Sequence, residues 1–490
     1  MRARTSVLPN PGTLPETGTP PDAGKAADTG RPPDIAAGRI PESTTGHVPE
    51  LSAGRIPEFT TGRIPEFTSG RIPEFTSGRL RAASDALRTL LTFAHPADAT
   101  LRRFFREQRE FGQRDRAFVA ELAFATLRHL RLLETLAAGR QPRRLLLAAA
   151  ALIEGRSLRQ LEPVLKQDEA QWLAQIRAVD TASLPQAVQV SLPDWVWERL
   201  LARMPPAAAL ALARGLLGPA PLDLRINPLL AERDSVLQAL QAEGIDAAPT
   251  AYSPLGVRLA YKPALQEHPL FLAGKVEVQD EASQLLAWLV APRRREMVVD
   301  FCAGAGGKTL ALGALMRSEG RLYAFDTAQR RLANLAPRLK RSALSNVHPQ
   351  LIDSEHDARV RRLAGKIDRV LVDAPCTGLG TLRRNPDLKW RHSPQTLTEL
   401  TRKQSAILAA AAALVKPGGR LVYATCSILT EENETVVQAF LAAHPQFRLE
   451  HAGDILRAQG IALDTGETFQ VYPHTHRMDG FFAAVLGRGG

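Results

Sequence analysis

The chain is 490 residues long and 44% hydrophobic, enough for two or three folded units with real cores. Its 62 Lys and Arg against 51 Asp and Glu give a net charge of +11, which favours an anionic partner, most simply nucleic acid. Three cysteines exclude a disulfide framework and none shows metal-ligand spacing; the longest uncharged apolar stretch, Ser405 to Val415, is far short of a membrane span. The expectation is therefore a cytoplasmic protein with no metal, no membrane contact and no secretory signal in "MRARTSVLPNPG".

The first 80 residues hold 12 of the 35 prolines and an octapeptide repeat, with Gly38, Gly46, Gly54, Gly62, Gly70 and Gly78 eight apart. Each unit has a proline, a glycine and little apolar mass, so residues 1–80 are expected to be a disordered tail. Residues 81–160 read as helices, with apolar residues three and four apart in "FVAELAFATLRHLRLLETLAAG" and "RRLLLAAAALI". Arg102, Arg103, Arg106, Arg114, Arg116, Arg128 and Arg131 interleave there; a solvated helical face and an RNA-binding bundle both account for them. Residues 161–219, rich in Ala, Leu and Pro, read as a helical linker region. Residues 220–290 mix strands ("PLDLRIN", "VRLAYK") with the helix "AERDSVLQALQAEG", a small α+β unit.

From 291 to 490 strands and helices alternate: "MVVDFCAG", "RLYAFD" and "GRLVYATC" each lead into a helical stretch, and "HPQLIDS" is followed by "IDRVLVDAP" and then a helix. This pattern predicts an α/β domain with a mostly parallel, doubly wound sheet covered on both faces. Ligands gather beyond the carboxyl ends of such strands. Cys302, Cys376 and Cys426 all fall there, as do Asp300, Asp326, Asp353 and Asp373.

"DFCAGAGGKT" (300–309) is a glycine-rich turn from strand to helix that lets backbone N–H groups approach a ligand. It fails as a P-loop, because Cys302 stands where the first glycine should be, and it fits the dinucleotide fingerprint only at Gly304 and Gly306. Asp326, 22 residues beyond Gly304, suits ribose hydroxyls and would repel a 2′-phosphate. An adenosine-type cofactor follows, with Asp353 on the next strand end placed to reach the adenine. Each aspartate alone could be a helix cap.

Two thiols at adjacent strand ends, with Asp373 three residues before Cys376, suit methylation of an electron-poor carbon such as cytosine C5 by S-adenosylmethionine. A thiolate adding at C6 makes C5 nucleophilic; a base then removes the C5 proton and the thiol is eliminated. Free cysteine is also a common small buried residue, so position alone does not say which thiol attacks.

"VEVQDEASQL", "DFCAGAGGKT", "DAPCTGLGTLRRNPDLKWR" and "KPGGRLVYATCSILTEENE" resemble the Sun/Fmu family of RNA (cytosine-5) methyltransferases over roughly residues 82 to 488. The resemblance implies a Rossmann-like class I methyltransferase domain preceded by a helical domain similar to NusB and a small RNA-recognition-like unit. It implies Cys426 of the threonine-cysteine motif as nucleophile and Cys376 of the proline-cysteine motif as the thiol assisting release. Cofactor contacts are implied at Cys302, Ala303, Gly304, Ala305, Gly306, Gly307 and Lys308, and at Asp326, Asp353 and Asp373; Lys308 and Asp373 also lie near the target base. Ala305 replaces the family's usual proline, which should loosen the turn slightly. Arg225 and Asn227 fit the family's "RxN" signature for RNA, and the loop after Cys376 offers Arg383, Arg384, Lys389 and Arg391 for phosphates and Trp390 for stacking. The implied substrate is small-subunit (16S) ribosomal RNA, with transfer RNA as an alternative enzyme substrate, a non-catalytic RNA-binding assembly factor as an alternative class, DNA as a more distant target, and a monomer as the expected state.

Overall fold

The computed structural model describes residues 74–261 and 263–490. The expected disordered tail lies outside the described residues except at its end, where the structure differs. Helix Ser77–Leu90 begins inside the last repeat unit: Thr76 accepts the Arg79 N–H as its cap, and Phe75 packs edge-on against Phe118 at 4.9 Å between ring centroids. Helices Ala97–Glu107, Gln113–Arg128, Leu130–Ala137 and Pro142–Ala148 complete an apolar bundle.

The stretch expected as a linker is a packed layer. Helices Asp194–Arg203 and Pro206–Leu217 bury Val196, Trp197, Leu200, Leu212 and Leu216 against Leu379, Leu382, Ile428 and Leu429 of the following domain. Next comes a four-stranded antiparallel sheet of β1 (Leu222–Ile226), β2 (Ala247–Pro249), β3 (Gly256–Leu259) and β4 (Val276–Val278), in the order β2-β3-β1-β4, covered by helix Arg233–Ala242. Helix Glu281–Val290, expected to belong to this unit, bridges both: its apolar residues enter the core of the next sheet, while Glu281 accepts the Tyr252 and Ser253 N–H groups and Gln284 donates to the Leu224 carbonyl.

The large sheet contains β5 (Met297–Asp300), β6 (Arg321–Asp326), β7 (Val347–Leu351), β8 (Ile367–Asp373), β9 (Val415–Thr425), β10 (Phe447–Glu450), β11 (Phe469–Val471) and β12 (Phe481–Arg488). Its order is β10-β12-β9-β8-β5-β6-β7, with β11 also paired to β12; β5 to β9 are mutually parallel, and β12 runs antiparallel to β9. The strands are apolar on both sides. Val298, Leu322, Leu371 and Val422 fill one core, and Val299, Phe325, Val370 and Tyr423 the other. The chain winds outward from β5 to β7 and then returns to place β8 on the other side of β5. That reversal opens a crevice at the carboxyl ends of β5 and β8.

Candidate active site

A cleft of about 440 Å³ occupies this crevice, within the roughly 300–1,000 Å³ usual for small-molecule sites. The turn after β5 forms one wall. Gly304 (φ 57°) and Gly306 (φ 82°) are both left-handed, which folds residues 302–307 back over the strand end and opens helix Gly307–Leu315. The Gly304 N–H donates to the Asp326 carboxylate at 2.8 Å, and the same carboxylate accepts from the Ala328 N–H (2.6 Å) and Arg331 (3.1 Å). A carboxylate has about four acceptor positions, so Asp326 keeps one for a ligand hydroxyl. Arg338 donates to the Ala305 carbonyl (2.7 Å) while paired with Glu277, so a tertiary contact pins the position where proline was expected to stiffen the turn.

The two thiols leave neighbouring strands. Asp373 at the end of β8 pairs in register with Ala424 of β9, so Cys376 and Cys426 emerge side by side with their sulfurs 3.4 Å apart. Lys308 donates to the Asp373 carboxylate at 2.6 Å and stands 5.4 Å over the Phe481 ring. Burial pulls the Lys308 ammonium down, but the Asp373 charge and hydrogen bond outweigh it, with Cys426 and Asp300 adding to the upward shift. The Cys376 thiol is pushed well up by its contact with Cys426 and by burial, and burial likewise raises Cys302. Asp300, buried beneath the turn and bonded to Thr309 (2.7 Å), is pushed up to about 7, chiefly by burial.

The structure thus brings Cys426, Cys376, Asp373 and Lys308 together around one cleft, with Cys302 to Ala305, Gly307 and Asp326 along its wall; Gly306, expected among the cofactor contacts, faces buried Leu335 instead. Asp353, in the loop after β7, does not line the cleft; its neighbours Ile352 and Glu355 do. The expected RNA contacts point inward. Arg225 is buried and donates to Gln279 and to the Gly307 carbonyl (2.6 Å), and Asn227 donates to the Gly274 and Ser342 carbonyls. Arg383 and Arg384 grip Asp479, Arg384 also reaching Asp280 (2.9 Å). Buried Lys389 donates to the Arg128 carbonyl (2.7 Å), and Trp390 packs into the helical bundle while donating to the Leu127 carbonyl. The physical reason is that all six meet acceptors distant in sequence, either side-chain oxygens of Gln279, Asp280 and Asp479 or backbone carbonyls of other segments, which local sequence does not display. Residues that escaped sequence reading include Ile352, Glu355 and Lys403 on the cleft and Glu432 behind the thiols; Ile352 sat in the quoted strand "HPQLIDS" and Glu432 in a quoted motif, within "TEEN".

A family model described as 16S rRNA methyltransferase RsmB/F matches residues 287–487, and one described as an RsmF/B-like ferredoxin-like domain matches 192–266. The chain is 37% identical over 310 residues to a probable ribosomal RNA small subunit methyltransferase B of Synechocystis, covering 63% of this chain and 69% of that one. A Bacillus subtilis protein of the same description is 30% identical over 334 residues, covering 67% and 73%. The chain belongs to the RsmB/F methyltransferase family. Among solved structures, PH0851 is 26% identical with a TM-score of 0.70, covering 85% of this chain and 100% of its own. A methyltransferase homolog protein from Pyrococcus horikoshii, also 26% identical, has a TM-score of 0.54, covering 63% and 100%. A Rossmann-like methyltransferase domain with additional domains is therefore the architecture, as the family resemblance implied; the alternation of elements had predicted its mostly parallel sheet. Among the described residues, no helix is long and apolar enough to cross a membrane, and no group of three or more His, Cys, Asp or Glu could hold a metal ion.

Proposed function

We propose that this protein transfers a methyl group from S-adenosylmethionine to C5 of a cytosine in small-subunit ribosomal RNA, through a covalent bond between Cys426 and C6. The observation that carries this reading is the pair of thiols 3.4 Å apart on adjacent strand ends, facing the cleft beside the Lys308–Asp373 pair. The wall opposite fits the cofactor. A Cβ built on Gly304 meets nothing within 4 Å, so the ligand can approach the main chain there, and Asp326 retains an acceptor for ribose. S-adenosylmethionine supplies, when bound, an electrophilic methyl group on a positively charged sulfur.

The residues then divide the work. Cys426 Sγ, as thiolate, forms a bond to C6, and the ring electrons move to C5, which takes the methyl group. Loss of the C5 proton to a base returns the electrons, the C6–S bond breaks, and Cys426 recovers its sulfur lone pair. The Lys308 ammonium shares the cleft with Cys426 and, with Asp373, provides a donor and an acceptor for the edge of the pyrimidine. The neighbouring sulfur and burial push the Cys376 thiol up; the likeness of its proline-cysteine motif to the family's is what assigns it assistance at release and leaves attack to Cys426. The relatives named for ribosomal RNA small subunit methylation support the substrate class.

Bisulfite mapping of ribosomal and transfer RNA from a deletion strain tests this. Complementation with wild type restores one or more 5-methylcytosines in small-subunit RNA, Cys426→Ala restores none, and Cys376→Ala accumulates protein covalently linked to RNA. Full restoration by Cys426→Ala overturns the nucleophile, and restoration confined to transfer RNA overturns the substrate.

A further inference from the structure

We infer that Glu432 is a positioning residue that fixes the spacing of the two thiols, an inference that rests on the two-thiol reading above. Both cysteines sit just past the strand ends, where ladder hydrogen bonds no longer hold the chain. Glu432, fully buried at the end of the turn Thr430–Glu432, lies behind them and does not line the cleft. One of its carboxylate oxygens accepts the Thr377 N–H (2.8 Å) and the Gln404 amide (2.9 Å); the other accepts the hydroxyls of Thr377 and Ser427. Thr377 follows Cys376 and Ser427 follows Cys426, so a single carboxylate ties the two thiol turns together.

The residues on the other side are held by the same network. Gln404 also donates to the carbonyl of Pro375 (3.0 Å), which precedes Cys376. Asn433, next to Glu432, accepts from Thr425, which precedes Cys426, and donates to the Ser427 carbonyl (3.1 Å). The four groups bonded to the carboxylate are all uncharged. A buried carboxylate is costly unless its oxygens are satisfied, and four converging donors both satisfy it and fix its direction. Replacing the carboxylate with an amide exchanges its two charge-assisted O–H···O⁻ bonds for longer N–H···O ones, with the Thr377 and Ser427 hydroxyls turned to accept, so each tie lengthens by roughly 0.3 Å and the two turns move apart. A shift near 1 Å at a reacting group costs on the order of 100-fold in rate.

The test uses the full chain with S-adenosylmethionine and its RNA. Glu432→Gln is expected to keep cofactor affinity within about twofold, lower kcat by about tenfold or more with KM for RNA nearly unchanged, and accumulate the covalent RNA adduct as Cys376→Ala does. Placed on Cys376→Ala, the same substitution should change adduct yield by less than about twofold, since the pair it positions is already broken. Should Glu432→Gln fail to fold, Ser427→Ala and Thr377→Val each remove one tie and should still accumulate adduct. Loss of cofactor affinity in step with activity, without adduct, would assign Glu432 a merely structural role. Fully additive effects with Cys376→Ala, or wild-type turnover, would also overturn the inference. If Cys376→Ala itself yields no adduct, the two-thiol reading fails first; if it yields adduct and neither Glu432→Gln nor the single-tie variants do, only the role of Glu432 fails.

Discussion

Gly304 and Gly306 adopt nearly the same left-handed backbone two residues apart, yet a methyl group would meet different surroundings at each. A Cβ on Gly306 would lie 2.1 Å from Cδ1 of Leu335, itself fully buried, whereas one on Gly304 meets open space at the cleft. Gly306→Ala therefore carries both a left-handed penalty of about 1–2 kcal/mol and a collision with the core. It should lower Tm by about 4 °C or more, on a scale of roughly 2–4 °C per kcal/mol for a domain this size. Gly304→Ala carries the penalty alone and should melt closer to wild type, but bind S-adenosylmethionine about tenfold more weakly, because its methyl group stands where the ligand meets the main chain. Thermal unfolding and cofactor titration of both variants check this, and the opposite ranking would contradict it. These glycines were legible because a strand-to-helix turn states its needs locally. What holds the Ala305 carbonyl was not legible for the opposite reason: the arginine bonded to it comes from 33 residues away, a distance no local pattern spans.

The segment 383–391 shows the same limit for a whole element. Its cluster of arginine, lysine and tryptophan reads as a nucleic-acid loop, yet it fastens the catalytic domain to the helical bundle. The last carbonyls of helix Gln113–Arg128 lack partners within the helix, and Lys389 and Trp390 supply them. The alternation of strands and helices from 291 onward was legible, since hydrophobic period and turn residues encode each element independently. What covers an element's ends is tertiary and was not. Lys389 has a consequence that can be measured. Burial first, and then the Arg128 charge, lower its pKa to about 7 from 10.5, while His129 beside it is held to about 3 and stays neutral. Between those two lysine values the unfolded chain binds a proton that the folded chain does not, so this residue makes stability rise with pH from about 7 to 10.5, by at most about 1.4 kcal/mol per unit. Below pH 7 both states are protonated and its penalty is constant. Lys389→Met should remove this rise, so denaturant unfolding at pH 7 and pH 9 should differ less in the variant than in wild type. An equal rise in both would refute the buried position of the amine.

Across the whole molecule, the helical layer and the small sheet reach the thiol turns and the glycine turn, while the helical bundle meets the following domain at segment 383–391. Helix Asp194–Arg203 reaches the β9 turn through Arg199 to Glu431 (2.7 Å) and Arg203 to the Ile428 carbonyl (2.9 Å). The small sheet reaches the cofactor turn through Arg225, whose guanidinium is lowered to about 10 by burial, against the opposing charge of Glu277. Such a buried cation is stable only where its protons are met, and the carbonyl of Gly307, at the start of the helix behind the glycine turn, meets one of them. Arg225→Met keeps the bulk and removes the donor, leaving the Gln279 side-chain oxygen without that partner and the Gly307 carbonyl without its tie to the small sheet. A hydrogen bond to a charged group contributes about 1.5–3 kcal/mol, so cofactor affinity should fall at least about tenfold. A phosphate contact would act differently: RNA affinity would fall while cofactor affinity held, and the slope of log K against log salt would become shallower by about 0.7–0.9. Isothermal titration with S-adenosylmethionine, together with RNA binding across a salt series, separates the two. With the side chain turned inward, the expected result is weaker cofactor binding and an unchanged salt slope.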